Sequence, residues 1–380
     1  MRANVFTDQA LGRYAGQFVW LSIDTENAAN AKFLARFPIH VLPTMLVVDP
    51  KGENAVMRYA GGATVRQLEK LLADGQHAFR ARGDSADSIL VSADKAAAED
   101  KSDEAIKLYE KAIAAAPKSW PRLGRAAEAL TLALSMAQRS EVCAAAARDL
   151  YPRLKGTTSG ANVASTGLGC ATDLDPNNVK RGELLAMLEH DTRQSFDDPK
   201  LRKHLSGDDV SGLYQSLIAA RDSAKDTAAG HQLREEWIAF LNKEAAATKT
   251  AEQRAVYDSH RLTAYLELGT PEKAVALLEQ SERDFPNDYN PPARLAVAFK
   301  AMKKFDEALA ASGRALEKAY GPRKIGIYRT RADVYAAKGD KAGVRKTLED
   351  AIRYAQSLPE PQRSDRTIAA LQKKLNEMPE

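Results

Sequence analysis

Phe37-Pro38-Ile39-His40-Val41-Leu42-Pro43-Thr44 runs into the apolar stretch Met45-Leu46-Val47-Val48 and then into Asp49-Pro50-Lys51-Gly52. A helix-like segment feeds a proline at the mouth of a buried strand, and Pro-Lys-Gly supplies the turn that follows. Proline fixes its own φ and has no N–H, so it suits the first residue of a strand or a sheet edge. Thr44 to Val48 is therefore expected as a strand, with Ala55-Val56-Met57-Arg58-Tyr59 as its hairpin partner.

Upstream, Val5, Phe6, Leu11 and Tyr14 recur at helical spacing, which predicts an amphipathic helix over residues 3 to 15, ended by Gly16. Phe18-Val19-Trp20-Leu21-Ser22-Ile23-Asp24 reads as a buried strand, and Asn27 to Arg36 as a second helix with Phe33 and Leu34 as its apolar stripe. Downstream, Gly61-Gly62 breaks the hairpin strand, and Val65, Leu68, Leu71 and Leu72 mark a closing helix.

This order of elements, with Leu42-Pro43-Thr44 ahead of the second strand, resembles the second half of a thioredoxin-like domain over residues 1 to about 78. Asp24, Pro43-Thr44, Asp49-x-x-Gly52 and Gly61-Gly62 fall in that family's order. The resemblance implies a cis bond before Pro43 and a loop, Leu42, Pro43 and Thr44, that faces a substrate peptide. A trans proline opening an edge strand is the plain alternative. The family also carries a Cys-x-x-Cys and a central strand ahead of this point, whereas the first cysteine here is Cys143. No catalytic residue can be assigned in the chain as it stands. The loop would offer only the backbone of Leu42 to an extended peptide. An upstream, in-frame Cys-x-x-Cys would make the protein a thiol–disulfide oxidoreductase or redox chaperone. Without it the expectation is a redox-inactive protein that binds other proteins, with the N-terminal part as a structural cap being a third reading.

The remainder is helical and partly periodic. Ala105 stands twelve residues before Pro117, Ala274 twelve before Pro286, and Ala308 thirty-four after Ala274. This period resembles that of tetratricopeptide repeats. Small residues let paired helices approach, aromatics such as Tyr109, Tyr265, Phe299 and Tyr335 fill the gaps between pairs, and proline ends the second helix. One unit is expected near 86–118, three over 253–358, and degenerate helical hairpins between them. The predicted fold is an α/β thioredoxin-like partial domain (1–80) followed by an all-α, tetratricopeptide-like superhelix (84–250 and 251–380). Such an array holds a protein or peptide partner.

Composition narrows the function classes. The 55 basic and 51 acidic residues are interleaved, leaving a net charge of +4 and no stripe dense enough to follow a phosphate backbone, so nucleic acid is not an expected partner. No apolar run approaches the roughly 18 residues of a membrane-spanning helix. No basic n-region and apolar h-region open the sequence. The protein is therefore cytoplasmic, or its signal peptide lies upstream of Met1 and its location is periplasmic or secreted. Oligomeric state is not legible.

Cys143 and Cys170 lie in two expected helices separated by a Gly/Thr/Ser loop. A structural disulfide between them would suit an oxidising compartment, and two buried free thiols are the other reading. His40, His77, His190, His204, His231 and His260 are scattered without metal-ligand spacing. Asp173-x-Asp175-x-Asn177 opens like a calcium loop, but Asn178 and Leu184 stand where glycine and glutamate are required. No metal or cofactor is implied. Trp237-Ile238-Ala239-Phe240-Leu241 reads as a helical core stripe.

Overall fold

A computed structural model describes residues 5–81 and 83–378. A 3-10 turn over Gln9–Tyr14 comes first, capped by Asp8, whose carboxylate accepts from the Ala10 N–H at 2.8 Å. A second turn, Ala28–Asn30, leads into α1 (Ala31–Arg36). The hairpin β1 (Thr44–Val48) and β2 (Ala55–Ala60) follows, then α2 (Val65–Ala78). Beyond it the described residues are helical: α3 (Ala86–Ala98), α4 (Ser102–Ala115), α5 (Leu123–Met136), α6 (Ser140–Leu154), α7 (Thr158–Thr172), α8 (Arg181–Asp197), α9 (Pro199–Arg202), α10 (Gly207–Ser223) and α11 (Thr227–Ala246). The series continues with α12 (Ala251–Ala255), α13 (Asp258–Glu267), α14 (Glu272–Asp284), α15 (Asn290–Ala301), α16 (Phe305–Lys318), α17 (Arg323–Lys338), α18 (Lys341–Ser357) and α19 (Asp365–Asn376). The protein is thus mostly helical with one small two-stranded sheet among the described residues.

Compactness divides the chain in two, where composition suggests three segments. One unit holds the residues up to Phe18 together with Phe37–Trp237, and the other holds Val19–Arg36 together with the residues from Ile238 onward.

In the first unit β1 and β2 pair antiparallel, Thr44 opposite Ala60 and Leu46 opposite Arg58, with an irregularity at Val47/Val48. Helix α2 lies close over β1: a Cβ on Gly75 would meet Val47 Cγ2 at 2.8 Å, so only glycine permits the approach. Leu68 and Leu72 of α2 pack with Val5, Leu11 and Tyr14, and Leu71 packs with Met57 and Ala63. The helix starts on a capping box, in which Thr64 and Gln67 exchange side-chain to backbone hydrogen bonds. The helix expected over residues 3 to 15 is only the 3-10 turn from Gln9, with residues 3 and 4 outside the described ones. Leu11 and Tyr14 are nonetheless buried, because a single 3-10 turn also brings residues three apart to one side.

Helices α3 and α4 form a hairpin with Ala105 and Tyr109 fully buried. Helices α6 and α7 approach so closely that a Cβ on Gly167 would lie 2.2 Å from Ala147 Cβ. There Cys143 and Cys170, both buried, form a disulfide with a Cα–Cα distance of 6.1 Å. Trp237 is fully buried, and its Nε1–H donates to Ser211 Oγ at 3.1 Å.

In the second unit the helices pair in sequence order, α13 with α14, α15 with α16 and α17 with α18. Ala274 and Ala308 have no exposed surface, as the small-residue spacing requires. Gly339, at φ 80°, ends α17 in the left-handed conformation. The strand expected over 18–24 does not form. Val19 is 88% and Leu21 74% exposed, and no described strand lies beside them to take their backbone groups. An apolar run can become a strand only when another strand meets it.

The disulfide closes a loop of 27 residues. In the chain-entropy view this stabilises the fold by about 3 kcal/mol. Chemical denaturation of the Cys143→Ala/Cys170→Ala variant is expected to show a loss of that size, and added reductant should lower the native protein's midpoint but not the variant's.

Candidate functional site

The proline loop sits at the start of the hairpin. The Leu42–Pro43 peptide is cis, and the Pro43 carbonyl accepts from the Gly61 N–H at 2.8 Å. Thr44 Oγ1 donates to the Val41 carbonyl at 2.6 Å. Leu42 is 50% exposed, and no backbone hydrogen bond among the described residues uses its N–H or C=O. Among the described residues, strand β1 has β2 on one side and no strand on the other. Loop and edge together can pair with an extended chain, but they contain no nucleophile. The two cysteines are bonded to each other in α6 and α7, so neither supplies a thiol there.

The outer edge of β2 is closed by a charge. Asp94 of α3, with no exposed surface, accepts from the backbone N–H of Arg58 on β2, from Tyr109 Oη (2.8 Å) on α4 and from Arg125 Nη1 (2.5 Å) on α5. Arg125 Nε also lies 3.4 Å from Asp74 on α2, and Arg122 Nε lies 3.1 Å from the same carboxylate. Asp87, at the start of α3, accepts from Trp120 Nε1 (2.7 Å), and His77 Nε2 lies 2.8 Å and Arg122 Nη1 3.3 Å from it. Burial alone would raise the Asp87 carboxyl. The hydrogen bonds from Trp120 and His77 and the Arg122 charge outweigh it and hold the group below its ordinary pKa.

A second polar cluster joins β2 to α5, α7 and the start of α10. Glu128 of α5 bonds to Tyr59, Ser159 and Asn162, and Asn162 also bonds to Asp209. Burial, reinforced by the Asp209 charge, pushes Glu128 up to about 7 against the Ser159 hydrogen bond. Asp209 is raised too, again by burial first. Tyr59 donates its single proton to the Gly62 carbonyl at 3.2 Å, so a protonated Glu128 can in turn donate to the Tyr59 oxygen. Asp208 closes against the same corner: a Cβ on Gly62 would meet its Oδ2 at 2.8 Å.

In the second unit, α15 and α17 face each other across an open cavity of about 470 Å³. Asn290, Arg294 and Val297 line it from α15, and Arg323, Ile327 and Thr330 from α17, at matching helical spacing. Tyr289 also lines it, with its hydroxyl pKa pushed up to about 12, by burial first and by Glu26 second. Burial lowers the pKa of Arg294 against the pull of Asp258 and Asp288. The lining holds two arginines and no acid. Tyr289 precedes Pro291 and Pro292, which sit in the first turn of α15 where no N–H is needed.

Sequence reasoning singled out Leu42, Pro43, Thr44, Cys143 and Cys170, and missed both polar clusters and the cavity. Asp74, Asp87, Asp94, Arg122 and Arg125 each look like ordinary helix-surface charges in sequence. Only the spacing of Asp87 and Asp94, seven apart on one helical face that also buries Leu90, hinted otherwise.

Removing one member of a buried pair leaves the other charge unpaired. Arg125→Leu is expected to cost about 3–5 kcal/mol in denaturant unfolding. Doubling it with Asp94→Asn should recover part of that loss. Glu128 has the opposite sign of pH dependence from Asp87. Its raised pKa means that its protonated form is favoured by folding. The stabilisation is complete below pH about 4.5 and is lost as pH rises through about 7, amounting to about 3 kcal/mol. Unfolding curves from pH 5 to 8 should therefore show a slope in the native protein that Glu128→Gln flattens.

The sequence matches no protein-family model and no curated protein.

Proposed function

We propose that this chain binds segments of partner proteins. The α15–α17 cavity would act as a groove in a tetratricopeptide-like array, and the open edge beside Pro43 as a second contact of thioredoxin-like ancestry. The observation that carries this reading is the cavity itself. Residues at helical spacing on two neighbouring first helices present apolar, amide and guanidinium groups to one open space. Such a mix suits a peptide, whose backbone needs hydrogen bonds and whose side chains need both apolar and polar seats. The Cys143–Cys170 disulfide supports an oxidising, periplasmic or secreted setting.

Thiol–disulfide exchange is the second reading, favoured by the half-exposed Leu42, whose backbone makes no backbone hydrogen bond among the described residues, next to a strand edge that no described strand covers. It needs a dithiol that this sequence does not supply before Cys143.

Selection of displayed peptides against the whole protein separates the two. Enriched peptides are expected, with Val297→Lys lowering their affinity about tenfold while the circular dichroism and melt stay native. Failure to enrich any peptide would overturn the binding reading. Measurable turnover of insulin disulfides by this chain would overturn it in favour of the second.

A further inference from the structure

Within the second unit the turn Asp24-Thr25-Glu26 is seated against the start of α17. Asp24 Oδ1 accepts from the Glu26 N–H at 2.9 Å, which shapes the turn, and Asp24 Oδ2 accepts from Tyr320 Oη at 2.7 Å. Glu26 Oε2 accepts from the backbone N–H of Arg323 at 2.7 Å, and its other oxygen lies 3.4 Å from Arg323 Nε. The Thr25 carbonyl accepts from Gln362 Nε2 at 2.8 Å. Both acids and the backbone between them are thus read by separate groups. The seat is also shaped for a chain passing over it. Gly321 has φ +62°, and a Cβ there would lie 2.4 Å from the Glu26 carbonyl oxygen.

This seat adjoins the α15–α17 cavity. Arg323 belongs to both, and Tyr320 packs edge-on against Tyr289, their ring centroids 6.2 Å apart. The turn itself does not line the cavity, whose wall runs on from Arg323 to Arg294. Its attachment is polar: Val19 and Leu21, just before it, are exposed and add no apolar anchor, while Glu26 and Gln362 are mostly buried and Arg323 is half-exposed.

We propose that Tyr320, Arg323 and Gln362 form a binding site for an acid-x-acid turn of a partner protein, which the chain's own Asp24-Thr25-Glu26 occupies in cis. A partner with the same two acids, extending into the adjoining cavity toward Arg294, displaces this internal ligand. The inference rests on the reading of the array as a protein-binding surface and names the chemistry of the segment bound.

The test uses a fluorescein-labelled peptide, Ser-Ile-Asp-Thr-Glu-Asn, copied from residues 22–27, and the full chain. Anisotropy titration is expected to show the Asp24→Asn/Glu26→Gln variant binding the peptide at least about tenfold more tightly than the native protein, the scale of one charge-assisted hydrogen bond. Adding Arg323→Gln should abolish the gain, and a peptide with Asn and Gln in place of its acids should not bind. Glu26→Gln alone, a smaller change, is expected to give a partial gain and serves if the double variant fails to melt like the native protein. No binding by a released variant that melts like the native protein would overturn the proposal. Equal binding of the acidic and neutral peptides would overturn its acid-x-acid chemistry while leaving the wider binding reading, tested by peptide display, in place.

Discussion

Four segments of the first unit meet at one carboxylate, and much of that unit's arrangement follows from how Asp94 is satisfied. A carboxylate with no exposed surface must find its hydrogen bonds inside the protein. Asp94 finds them on β2, α4 and α5, through the Arg58 N–H, Tyr109 and Arg125. Arg125, held there, also reaches Asp74 on α2. The packing of the hairpin and the first helical pair is therefore fixed by directional bonds as well as by apolar area, which alone would tolerate sliding. There is a consequence for the sheet. Because Asp94 takes an outward N–H of β2, the hairpin's unpartnered strand edge is the one on β1, beside Leu42 and Pro43.

What the sequence reveals is mainly what local pattern determines. The hairpin follows from an apolar run, a Pro-Lys-Gly turn and a second apolar run, and its strands fall within a residue of their expected ends. The paired helices of 86–115 and 258–357 follow from small residues at fixed spacing, because Ala105, Ala274 and Ala308 each sit where two helix backbones approach. The failures share a non-local cause. Phe18 to Asp24 has a strand's composition, yet a strand also needs a neighbour, and composition cannot state whether one is present. The ion network draws on residues from Asp74 to Arg125, and nothing in their local context marks them as buried. The same holds for Glu128, whose neighbours Tyr59, Asn162 and Asp209 lie far from it in sequence.

Residues 19–36 carry the most instructive disagreement. In sequence they sit inside the segment that ends near residue 80, between an apolar turn and the proline loop. In space they belong to the second unit, with α1 packed on the 3-10 turn Glu360–Gln362 and Glu26 bonded at the start of α17. A cut near residue 80 therefore does not separate a small α/β part from an intact helical array. It removes Asp24, Thr25 and Glu26 from the second unit, frees the N–H of Arg323 and the amide of Gln362, and uncovers the Gly321 backbone that the turn covers. Within the second unit that piece accepts hydrogen bonds from Tyr320, Arg323 and Gln362, so the polar groups at the start of α17 are satisfied by residues far upstream in sequence.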